Sequence, residues 1–244
     1  MKAYALMIET FSRKGSVRFV HLCWLGIYAA LFLIPMPPES WHWGLFLFVW
    51  SGCLLPLLLT EGIFGDDIAS GRIRLIVTEP IRPAELYVYR LFGLSLQGAI
   101  HFLAVGALVL FLHRLTGRGS ISRFPGFVLV SWLIFSVWAA LSTSLSVVLK
   151  RSNNSLLLFI VTVAVCFLLS LSIHFFPKSA GVNAALRVVR YTCPPMELLG
   201  NTALGKLDLL QGLGSVALSL LLAALYAVAG IILLGKREFK YVAD

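Results

Sequence analysis

The chain has 244 residues, of which 59 % are apolar and 13 % charged, with a mean hydropathy of +0.91. A soluble domain of this length is nearer half apolar and a quarter charged, so the composition points to an integral membrane protein with room for about six spans. The formal charge of +9 comes with no nucleic-acid signature, and it suits a membrane protein whose basic residues fix orientation and meet headgroups.

In chain order, Tyr4, Met7, Ile8 and Phe11 recur at helical spacing, with Glu9, Arg13 and Lys14 off that face. Residues 2–15 therefore read as a short amphipathic helix in the headgroup layer. The following apolar run has no convincing small-x-small cleavage site, so it is read as a retained span over 17–35. Its exit, PMPPESWHW, is a proline turn with aromatic interface anchors. A second span is expected over 43–59, with Pro56 favouring a kink near its far end.

A polar stretch, Glu61–Arg90, interrupts the apolar pattern. It holds five of the eleven acidic residues, together with Arg72, Arg74, Arg82 and Arg90. It is too long for a minimal turn between two membrane helices and reads as a docking element for a soluble partner. Glu61, Asp66, Asp67, Arg72 and Arg74 would supply rim contacts, while Ile63, Phe64 and Ile68 would pack inward.

Four further spans are expected over 87–113, 127–149, 155–176 and 214–235. The third carries Gln97 and His101 on one helical face, candidates for a polar pathway or for packing against a neighbour. The fourth carries six Ser and Thr side chains that suit close helix contact. Counting Lys and Arg by side gives 13 against seven, which places both termini and the polar stretch in the cytoplasm.

Several chemistries are disfavoured. Residues 200–206, GNTALGK, match the start of a phosphate-binding loop, but Leu207 stands where Ser or Thr should ligate magnesium, and no strand precedes it. Cys23, Cys53, Cys166 and Cys193 form no CxxC and read as free thiols. No Asp, Glu, Lys or Arg falls in the middle of an expected span, so the chain lacks the ionisable group that ion-coupled carriers generally use. No catalytic or metal-binding residue is assigned, and an energy source outside the chain is expected.

Within the polar stretch, Asp67, Gly71, Ile73, Ile76, Val77, Pro80 and Ile81 follow a pattern of an acidic residue, glycine, an apolar run and then proline. This resembles the segment between spans two and three in the permease subunits of type-2 ATP-binding-cassette exporters. Ala69 replaces a second acidic residue, Arg82 comes one place early, and Arg72-Ile73-Arg74 stands where the family has Thr-Leu-Glu. The layout is similar too, and RYTCPPMELL resembles the family's external segment that dips back as short helices.

The resemblance implies an all-α permease of six transmembrane helices in the cytoplasmic membrane, with a coupling helix within 61–86. It implies export of a hydrophobic, amphipathic or lipid-linked substrate. The implied partners are two ABC ATPase subunits, which would hold ATP and Mg, and a second permease half. Two alternatives stay open at this level: a lipid-acting membrane enzyme using His101 or His174, and a non-transporting scaffold or immunity subunit.

Overall fold

A computed structural model describes residues 8–10, 15–33, 51–60, 63–69, 82–117, 124–149, 196–203, 205–206 and 208–236, plus isolated helical positions between 157 and 184. All regular structure among the described residues is helical. The labelled helices are α1 (Gly15–Leu33), α2 (Gly65–Ala69), α3 (Pro83–Thr116), α4 (Phe124–Ser146), α5 (Met196–Ala203) and α6 (Leu209–Lys236). Residues 51–59 are helical as well.

Helices α3, α4 and α6 have 34, 23 and 28 residues and are long and apolar enough to cross a membrane. The chain is an all-helical, multi-pass membrane protein. Helix α1 carries a shorter apolar run, His21–Ala30. Most of the fifth expected span and of the N-terminal interfacial helix, and residues 43–50 of the second expected span, lie outside the described residues.

The helix ends follow local chemistry more than the apolar pattern does. Helix α3 begins at Pro83, four residues before the expected start, because proline loses nothing in a first turn whose N–H groups have no helical partner. The Glu85 carboxylate accepts from the Arg82 backbone N–H at 3.4 Å and closes that end. At the other end Gly117 takes the left-handed conformation at φ 65°, and its N–H donates to the His113 carbonyl at 2.8 Å. Helix α4 likewise begins early, at Phe124, with Pro125 in its first turn.

Helix α4 is the hub: it packs against α3, α5 and α6. Of its most apolar window, 61 % is buried by other helices, against 11 % for α6, whose leucine-rich outer face is left for lipid. Small residues permit the close contacts. A Cβ on Gly98 of α3 would enter the Phe135 ring of α4, and one on Gly52 would lie 2.7 Å from the Ser131 carbonyl oxygen.

Contacts along the bundle give each helix a direction. Tyr87 meets Ser144 at one end, while Gly106 faces Val128 and Phe124 at the other, so α3 and α4 are antiparallel. Tyr226 of α6 lies level with Ser144, and Ser215 meets Thr202 of α5 further from that end. Helices α4 and α6 therefore run the same way. The chain leaves α4 at the end where α2 sits and re-enters, through α5, towards the opposite end.

Candidate functional site

The polar stretch folds locally into α2, a five-residue helix with Asp66 and Asp67 in its first turn, where negative charge suits the helix N-terminus. Phe64 and Asp67 are three residues apart, as are Tyr87 and Arg90 at the start of α3. Side chains at that spacing share a helical face. The two pairs interlock. Phe64 stacks on Tyr87, with ring centroids 5.6 Å apart and planes 4° from parallel. Arg90 donates from Nη2 to Asp67 Oδ2 at 2.6 Å.

Both charges are inside the protein: Arg90 is 0 % and Asp67 1 % exposed. Glu9 Oε1 lies 3.8 Å from the same Arg90 nitrogen, which brings the N-terminal segment to the site. The Arg90 guanidinium carbon also sits 5.5 Å from the Phe64 ring centroid, within cation–π range. A charge pair removed from water must be well bonded to be tolerated, and its main effect is to fix one arrangement of the parts it joins. Here the parts are α2, α3 and the N-terminal segment.

Tyr87 extends the connection into the bundle. Its hydroxyl is 2.7 Å from Ser144 Oγ and 3.3 Å from the Ala140 carbonyl oxygen of α4. Ser144 Oγ in turn lies 2.6 Å from the Tyr226 carbonyl oxygen of α6. Gly230, one turn further along α6, makes room for the Tyr87 ring: any Cβ there would overlap it. Thr60, just before α2, is bonded to Ser142 of α4 and donates to the Pro56 carbonyl at 2.6 Å. These contacts connect α2 to α3, α4 and α6 at one end of the bundle.

The expected docking residues divide. Ile63 and Phe64 are buried, and Ile68 packs against the core while partly exposed. Asp66 is half-buried and remains at the surface. Asp67, expected at the rim, is buried, and its carboxylate accepts from Arg90. Glu61, Arg72 and Arg74 lie outside the described residues. Sequence reasoning treated Arg90 as the last charge of the polar stretch. Its position one turn inside an apolar helix was the available signal that it is buried.

The other candidates, Gln97 and His101, lie buried near the middle of α3 and meet His21 of α1. The two imidazoles approach Nδ1 to Nδ1 at 2.9 Å, so one ring donates and the other accepts, and their tautomers are complementary. Gln97 reaches the remaining His21 nitrogen at 3.2 Å. His101 Nε2 is buried with no hydrogen-bond partner among the described residues. His21 was missed from sequence because it stands alone in its apolar run. Among the described residues no cluster of three or more His, Cys, Asp or Glu is placed to hold a metal.

No protein-family model matches the chain, and no curated protein matches it.

Proposed function

We propose that this chain is the permease half of an ATP-driven exporter of the type-2 ATP-binding-cassette class, receiving motion from a separate ATPase through α2. The observation that carries the reading is the double interlock of Phe64 with Tyr87 and Asp67 with Arg90, which fastens a short polar-segment helix to the base of the apolar bundle. A surface helix of five residues has little stability alone. Tied to three long helices, it has the mechanical form that a coupling element needs.

On this reading Asp66, with Glu61, Arg72 and Arg74, forms the rim that meets the ATPase, and Asp67 belongs to the internal lock. ATP and Mg bind the partner ATPases, two per complex, and a second permease half completes the pathway. The substrate is hydrophobic, amphipathic or lipid-linked. The site lies on the cytoplasmic side of the cell membrane, as do both termini. The six-span count of the sequence reading, with its fifth span over 155–176, is part of this proposal. The cluster of His21, Gln97 and His101 is the candidate polar point on the path.

The test is co-purification in mild detergent with the ATPase encoded nearest to this chain's gene, followed by ATP turnover in liposomes. Complex formation and stimulated turnover are expected, with both lost on Asp66→Arg combined with Arg72→Glu. A complex that survives those reversals with turnover unchanged would refute the docking surface. Full activity of the chain with no ATPase present would refute the reading as a whole.

A further inference from the structure

In the half of the bundle remote from α2, an open cleft of ≈ 590 Å³ separates α3 from α4. Its floor is Phe102 and Phe124, both buried, and its lips are Leu103 and Leu129, which are 64 % and 52 % exposed. Ala99, Gly106 and Ala107 recess the α3 wall. Trp132 also lines the cleft, but its indole N–H donates to the Ser95 carbonyl at 3.0 Å, so among the described residues no free polar side chain faces the space.

The α3 lining runs from Ala99 to Leu110, a rise of about 16 Å at ~1.5 Å per residue. That is close to half of the ~30 Å hydrocarbon core, the depth of a single leaflet. Leu103, Ala107 and Leu110 form a stripe at helical spacing, and Arg114 is its next position, exposed in the last turn of α3. Residues 114–126 contain Arg114, Arg118 and Arg123 and no acidic side chain. The α3 wall of an apolar slot one leaflet deep thus leads to the exposed Arg114.

We propose that this cleft holds one acyl chain of an anionic membrane phospholipid whose phosphate pairs with Arg114. The length of the slot, its lack of polar lining and the charge at its mouth all match a single lipid of that type. The inference rests on the membrane character of the chain and not on the transport reading, so either can fail without the other.

The test is lipid retention by the purified chain, measured by native mass spectrometry against phosphatidylglycerol and phosphatidylcholine with identical acyl chains. Wild type is expected to keep a phosphatidylglycerol under conditions that strip phosphatidylcholine. Arg114→Gln should weaken that retention roughly fivefold, the effect of one basic residue at an anionic lipid surface. Ala107→Phe, which adds bulk into open space, should abolish retention with thermal unfolding unchanged. Equal retention of the two lipids by wild type overturns the proposal, as does wild-type retention by Ala107→Phe. Efficient disulfide capture of two copies through Leu103→Cys and Leu129→Cys would overturn it in favour of a contact between chains.

Discussion

Phe64 lies face to face with Tyr87, with ring centroids 5.6 Å apart and planes 4° from parallel, and that stack joins the polar segment to the membrane bundle. Both rings are buried, so the contact combines aromatic geometry with full removal of apolar surface from water or headgroup. Phe64→Ala is expected to cost about 3 kcal/mol, at the lower end for a buried phenylalanine, since α2 is short enough to relax. The check is the thermal midpoint in detergent, joined to limited proteolysis of the segment around α2. On the proposed function, Phe64→Ala should also still bind the ATPase while no longer stimulating it.

Asp67 and Arg90 give a sharper test, because each alone is a liability once its partner is gone. Asp67→Leu or Arg90→Met alone should destabilise by roughly 3–5 kcal/mol, the cost of one uncompensated buried charge. The double variant should regain most of that loss. A double-mutant cycle on unfolding midpoints reads the coupling directly, and additive effects would show that the pair does not act as a unit. Glu9→Gln should have a smaller effect, since Glu9 is 3.8 Å from Arg90 Nη2 and partly exposed.

Gly230 should be intolerant where its neighbour Gly235 is not. A methyl at 230 overlaps the Tyr87 ring, whereas one at 235 meets nothing within 4 Å. Gly230→Ala is therefore expected to lose about 1–3 kcal/mol through overpacking. Gly235→Ala should be neutral or stabilising by up to about 1 kcal/mol, the ordinary gain of alanine over glycine in a helix. Comparing the two in one melting series separates the packing effect from helix propensity.

The histidine pair predicts an asymmetry between removing one member and removing both. His21→Leu strands Gln97 and His101 together, leaving buried polar groups that each cost about 1–3 kcal/mol. His21→Leu with His101→Leu replaces the imidazole contact by an apolar one and should be less harmful than His21→Leu. If the cluster lies on the transport path, the double variant should fold and yet show altered substrate stimulation of the ATPase.

Much of this was legible in the sequence because membrane helices announce themselves by composition. A long apolar run has few alternatives in a bilayer, where every backbone polar group must be bonded internally. Hence α3, α4 and α6 begin within about five residues of where hydropathy places them, and Pro83 and Gly117 set the two ends of α3. The polar stretch was visible as an interruption for the same reason.

Partners across the fold were not legible. Asp66 and Asp67 are adjacent acids of equal local character, yet one stays at the surface while the other is buried against Arg90, 23 residues away. Nothing local to Asp67 distinguishes it, since the deciding group is on another helix. The same holds for His21, whose role exists only because α1 lies against the middle of α3. The sequence by itself determined that this chain is helical, apolar and interrupted once by a charged segment, since those properties follow from side-chain transfer energies and local spacing. Only the tertiary structure decided that the segment is locked from within, because a buried charge is stable only where packing brings its counter-charge to 2.6 Å.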